Sequence, residues 1–210
     1  MESVLEELHL SSEELSDYLK VSEIINYDHK SIQALTNDLA KNCADEIEKI
    51  KTVYEYVRDL AAHSADTSAD SVSCTASDVL INGHGICYAK AHLLAAMLRY
   101  LGIPTGFCYQ RLVLDEDNPE KLALHGLNAV YISSLDKWIR MDARGNKQGV
   151  NAQFSIDEEI LAFKIRPKLG ERDIPWIFHE PLPVVVEALR STTDLKELWR
   201  NLPDDDGQYI

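Results

Sequence analysis

Gly83-His84-Gly85-Ile86-Cys87-Tyr88-Ala89-Lys90-Ala91-His92-Leu93-Leu94-Ala95-Ala96-Met97-Leu98-Arg99-Tyr100-Leu101-Gly102-Ile103-Pro104 is the stretch from which the fold can be read. Two glycines precede a long apolar-periodic run, and Gly102 with Pro104 closes it. The run predicts a helix of about four turns that starts close to Cys87. A thiol at that place feels the partly positive helix N-terminus, which favours the thiolate, the form that attacks carbonyls. Downstream, His125 opens Gly126-Leu127-Asn128-Ala129-Val130-Tyr131-Ile132, and Asp142 ends Lys137-Trp138-Ile139-Arg140-Met141-Asp142. Cys, then His on one strand, then Asp at the end of the next, is a nucleophile, a base and an orienting acid in chain order.

Upstream of the Cys87 helix the pattern is helical. Ser11-Ser12-Glu13-Glu14 ahead of Leu15, Tyr18 and Leu19 carries a capping-type signal for a peripheral helix. Ile32, Leu35 and Leu39 predict a helix over Ser31 to Cys43, and Ile47, Ile50, Val53, Tyr54, Val57 and Leu60 predict one over Asp45 to Ala62. His63 to Ser73 is small and polar and reads as a loop, followed by a short helix around Ser77 to Ile81. Downstream, Thr105 to Leu114 reads as a strand, and Asp115 to Lys121 as an acidic turn. A short helix is expected over Asp157 to Phe163, a wrapping segment punctuated by Pro167, Pro175, Pro181 and Pro183, and one or two helices over Val184 to Leu198. Pro203 to Gly207 reads as frayed. The expected organisation is one domain over residues 1–210, with a core at about 45–145, a helical extension at 1–44 and a wrapping segment at 146–210.

The chain carries 21 Lys and Arg against 35 Asp and Glu, a formal net charge of −14. That balance argues against nucleic acid as a partner, since phosphate neutralisation needs a basic patch. No apolar stretch has the length of a membrane span, and the acidic N-terminus lacks the apolar core of a secretion signal. Cys43, Cys74, Cys87 and Cys108 show neither paired spacing nor scaffold density, so the expected compartment is a reducing cytoplasm.

The middle of the chain resembles the transglutaminase-like superfamily. Gly85-Ile86-Cys87 fits that family's Cys pattern, Leu98-Arg99-Tyr100-Leu101-Gly102-Ile103-Pro104 fits the segment that follows it, and the His125 and Trp138-to-Asp142 strands fit its His and Asp strands. The family often has His-Ala-Trp-x-Glu at the His, whereas this chain reads His125-Gly126-Leu127-Asn128-Ala129. The resemblance implies an α+β, papain-like transglutaminase core: N-terminal helices, then a Cys-bearing helix packed on an antiparallel sheet. It also implies a Cys87–His125–Asp142 triad that attacks an amide or ester carbonyl of a peptide, protein or small amide substrate and passes through a thioester.

For the oxyanion, the backbone N–H of Cys87 is a natural donor at a helix start. Relatives often add a side chain upstream of the Cys, and here His63 is the nearest match, with His84 and Tyr88 as further cleft candidates. His63 equally fits a residue that bonds the last carbonyls of its own helix. His84, Cys87, Cys108, His125 and His179 are ligand types without the close pairing of a structural zinc site, so no metal is expected, nor a calcium loop of EF-hand type, nor any cofactor. Hydrolysis is favoured over transamidation, because nothing marks an acceptor-amine site. The rival from another class is a noncatalytic interaction domain on the same scaffold.

Overall fold

The structure is a computed structural model that describes residues 8–60, 62–63, 71–115, 118–205 and 207. α1 (Lys30–Ala40) and α2 (Glu46–Leu60) form where the apolar spacing requires them, and α2 buries Ile50, Val53, Tyr54 and Val57 along one face. Asp45 starts α2 by accepting the Glu48 N–H at 2.8 Å, and the Glu48 carboxylate reaches back to the Ala44 N–H at 2.7 Å. α3 (Ala76–Asn82) opens on a reciprocal cap between Thr75 and Asp78.

α4 (Cys87–Tyr100) is the axis of the molecule, buried at every residue from Tyr88 to Arg99. A helix enclosed on all sides must satisfy its polar side chains internally, and here they bind main-chain carbonyls. His92 Nδ1 meets the Cys74 carbonyl at 2.7 Å, and burial pushes its imidazole down to about 4. Arg99 donates twice to the Thr105 carbonyl, at 3.0 and 2.7 Å, and once each to those of Lys20 and His179, at 2.8 and 2.6 Å. The arginine of the Leu98-to-Pro104 motif thus pins the chain on both sides of the central helix.

β4 (Thr105–Asp115), β5 (Asn118–Ile132) and β6 (Lys137–Met141) form an antiparallel meander. It joins β7 (Arg172–Phe178) and β1 (His9–Leu10) in a five-stranded sheet of order β1-β7-β4-β5-β6, with β1 parallel to β7. Asn128 fastens α4 to this sheet, its Nδ2 donating to the carbonyls of Ala91 and Gly106, each at 3.1 Å. Two residues of β2 (Ala62–His63) pair in parallel with β3 (His84–Gly85) just ahead of α4. α5 (Pro183–Arg190) and α6 (Leu195–Arg200) close the core, which is continuous from Ile24 through α4 and the sheet to Leu198. The architecture is α+β, with the Cys-bearing helix against an antiparallel sheet.

Five local expectations are corrected. The peripheral helix after Ser11 is a short 3-10 segment at Leu15–Leu19; the Ser12 hydroxyl accepts the Glu14 N–H and donates to the Asp17 carboxylate. The acidic turn is shorter than expected because β5 begins at Asn118. Asp157 to Phe163 is not helical: Gln153 bridges Ile160, and the Ala162 N–H is spent on a side chain elsewhere. β7 was hidden by Pro175, which lies where the β4–β7 register shifts between Phe107 and Tyr109, a place where a missing N–H is tolerated. Residues 203–205 are docked rather than frayed. Pro203 accepts the Leu124 N–H at 2.8 Å, Arg111 grips Asp204 with two bonds of 2.6 Å, and Arg172 pairs with Asp205. Of the expected loop at His63 to Ser73, residues 64–70 lie outside the described residues, while His63 belongs to β2.

Candidate active site

Cys87 is the first residue of α4, and the residue before it, Ile86, has no side chain able to cap the helix. The first main-chain N–H groups of α4 therefore face outward without a side-chain acceptor, at the positive end of a buried helix. The sulfur is half-buried.

His125 sits on β5, directly across from Gln110 of β4. β6 stops pairing with β5 at the Asn128–Met141 rung, and Asp142 follows at once, wholly enclosed. His125 Nε2 meets Asp142 Oδ2 at 2.7 Å. Cys87 also lies close enough to act on the His125 ring, whose Nε2 is taken by Asp142. Burial alone would drive the imidazole neutral. The Asp142 carboxylate and Cys87 outweigh it through charge and hydrogen bonding, and His125 is pushed up to about 10. For Asp142 burial acts upward, yet the imidazole and two main-chain N–H groups hold the carboxyl below its ordinary range.

Those donors are Arg144 N to Oδ1 at 3.0 Å and Ala162 N to Oδ2 at 3.2 Å. The Tyr54 hydroxyl, from α2, donates to the Asp142 carbonyl at 3.1 Å. Phe163 stands edge-on to His125, ring centroids 5.0 Å apart and planes at 89°, and the Arg144 guanidinium lies 5.7 Å from the Phe163 centroid. The segment after β6 therefore both anchors the carboxylate and covers the imidazole.

The other candidates fall differently. Tyr88 does not line a cleft: it is buried, its hydroxyl donates to the Leu124 carbonyl, and its ring packs against Gly126. A Cβ on Gly126 would lie 2.7 Å from Tyr88 Cδ1, which accounts for glycine beside His125. The β2–β3 pairing sets the His63 backbone opposite Gly85, while the His63 side chain lies outside the described residues. His84 is half-buried, its Nε2 at 3.2 Å from the Ser71 hydroxyl. Cys108 is sealed among Tyr18, Leu127, Ala129 and Ile177, and burial pushes its thiol up to about 12. His179 is bound to Ser11, with Nδ1 at 2.9 Å from its hydroxyl. Among the described residues no group of three or more His, Cys, Asp or Glu side chains is arranged to hold a metal ion.

The sequence pattern gives Tyr54 only as part of the apolar face of α2 and does not single out Arg144, Ala162 or Phe163. Ala162 acts through a main-chain N–H that no residue pattern records, while Phe163 lay inside an expected helix.

The sequence profile of the transglutaminase-like superfamily core matches residues 33–143, just over half of the chain. The chain belongs to the transglutaminase-like superfamily. The matched span of this superfamily member runs from α1 to the residue after Asp142, so it includes Cys87, His125 and Asp142. Among solved structures, a "putative cysteine protease" from Cytophaga hutchinsonii is similar at 20% identity and a TM-score of 0.52, over 63% of this chain and 43% of that one. The periplasmic domain of TgpA from Pseudomonas aeruginosa is similar at 16% identity and a TM-score of 0.44, over 60% and 45%. A "putative protease" from Parabacteroides distasonis is similar at 15% identity and a TM-score of 0.40, over 72% and 30%. The chain thus spans less than half the length of each of these structures. Among curated proteins none matches. No helix among the described residues is long and apolar enough to cross a membrane.

Proposed function

We propose that this superfamily member is a cysteine-dependent acyl-transfer enzyme that hydrolyses amide or peptide bonds through a thioester on Cys87. The observation that carries the reading is the His125–Asp142 bond of 2.7 Å in an enclosed site, which favours the charged imidazole against burial, with Cys87 close enough to act on the same ring. That is an arrangement in which an imidazole can take and return the proton of a neighbouring thiol.

In the forward step Cys87 Sγ attacks the carbonyl carbon, a C–S bond forms, and the carbonyl π electrons move onto oxygen. The Cys87 N–H, at the uncapped start of α4, donates to that oxyanion in this scheme. Collapse breaks the C–N bond as the His125 Nδ1 proton passes to the leaving amine. Water then loses its proton to His125 and attacks the thioester, releasing the acid and restoring the thiolate. Asp142 keeps the ring oriented and charge-balanced throughout and does not take the proton. The substrate is a peptide, a protein or a small amide; an amine in place of water would give transamidation by the same first step. The description of one similar structure as a putative cysteine protease favours peptides. The four cysteines carry free thiols, which fits a cytoplasmic location.

Alkylation with iodoacetamide, followed by peptide mapping, tests this reading. Cys87 is expected to react at pH 6 far faster than glutathione does, with His125→Ala abolishing the advantage. A Cys87 rate that follows glutathione across the pH range would overturn the proposal.

A further inference from the structure

Lys90 is an ammonium with no exposed surface, three residues after Cys87 in the same helix. Residues three apart are neighbours on a helix face. Enclosing an amino group is costly unless it is bound on several sides, and its partners here are informative. Lys90 Nζ donates to the carbonyl of Arg58 at 3.0 Å and to that of Arg144 at 3.1 Å. Arg58 lies in the last turn of α2, where carbonyls lack helical partners and the dipole is negative. Arg144 is the residue whose N–H holds Asp142 Oδ1.

We infer that Lys90 is a positioning residue of the Cys87 site: its buried amino group ties the loop that holds Asp142 to the end of α2, and so fixes the carboxylate that orients His125. The inference rests on the catalytic reading given above and adds to it the residue that fixes the Asp142 loop. Charged and titratable groups around the pair are Tyr54, Arg58 and Asp59 from α2, Asp142 and Arg144 from the loop after β6, and His125 from β5. Asp59 feels the Lys90 charge directly and is held low partly by it.

Lys90→Met keeps the length of the side chain and removes the charge and the donors. Its Cys87 alkylation rate at pH 6 is expected to fall on the order of tenfold, as the Asp142 loop loses its anchor and His125 its fixed orientation. At pH 9.5, where an ordinary thiol is ionised, the rate should match wild type. Gly145→Ala provides a second variant, because its Cβ would stand 3.3 Å from Lys90 Nζ and 3.2 Å from the Arg58 carbonyl while leaving the charge in place. It should shift the profile in the same direction by less, and it decides the matter if Lys90→Met does not fold. A folded Lys90→Met, destabilised but with the wild-type profile, would overturn the inference and leave the catalytic reading standing; so would a wild-type profile in Gly145→Ala when that is the only folded variant. A wild-type enzyme that itself lacks fast alkylation at pH 6 would sink both.

Discussion

Replacing Asp142 by Asn removes one negative charge and almost no volume, at a point where the structure gives the consequences a sign. His125 is held at about 10 against an ordinary 6.5, which corresponds to about 5 kcal/mol of preference for its charged form as an upper bound. Burial opposes that charge, so without the carboxylate the imidazole should become neutral near pH 7. The amide has a second effect. Asp142 Oδ1 accepts from Arg144 N, and Oδ2 accepts from Ala162 N and His125 Nε2, so an NH2 group at either position faces a donor. That mismatch should cost about 1–3 kcal/mol of stability. Linkage adds a pH signature. The lowered Asp142 contributes stability that is present above its unfolded value near pH 4 and is lost as pH falls further. The raised His125 contributes stability that is complete below about pH 6.5 and is lost as pH rises toward 10. Wild-type stability should therefore peak between those limits, and Asp142→Asn should flatten both limbs. Nitrogen-detected NMR of the His125 ring at pH 7.5, with urea melts from pH 3 to 10, reads both effects. Acyl transfer should fall by about 10²- to 10⁴-fold. A His125 that stays charged at pH 7.5 in the variant would refute the electrostatic account.

Other outcomes follow from the same geometry. Gly126→Ala drives a methyl to 2.7 Å from the Tyr88 ring, which is tied to Leu124, so urea melts should show a loss of about 1–3 kcal/mol and slower Cys87 alkylation. Arg99→Met strips hydrogen bonds from the carbonyls of Lys20, Thr105 and His179, and should cost about 3–5 kcal/mol in the same melts. Replacing Cys43, Cys74 and Cys108 together should leave Cys87 alkylation intact at pH 6, with the stability loss traced by single variants to enclosed Cys108.

The sequence revealed what is local and periodic. α4 was legible because a long apolar run stood between glycines and a proline, and its N-terminus fixed the place of Cys87. His125 and Asp142 were legible because a His opening one strand and an Asp ending the next complete, after Cys87, the order seen in the family the chain resembles. What escaped was held by main-chain partners far along the chain. Ala162 N reaches Asp142 across 20 residues, and Lys90 reaches the Arg144 carbonyl across 54. β7 escaped because Pro175 argues against a strand unless the register shift is known, and that shift belongs to the sheet rather than to the segment. Residues 203–205 read as frayed for the same reason: three consecutive acids look solvated until Arg111 and Arg172 are brought beside two of them.

Covalent capture of the acyl intermediate tests the central claim most directly. The enzyme would be mixed with p-nitrophenyl acetate, quenched in acid within the first turnover, and mapped by peptide mass spectrometry. The account predicts one acetyl group on Cys87, removable by hydroxylamine as a thioester is, and none in His125→Ala on the same time scale. An acetyl group on another residue, or a nitrophenolate burst of equal size in Cys87→Ala, would contradict it.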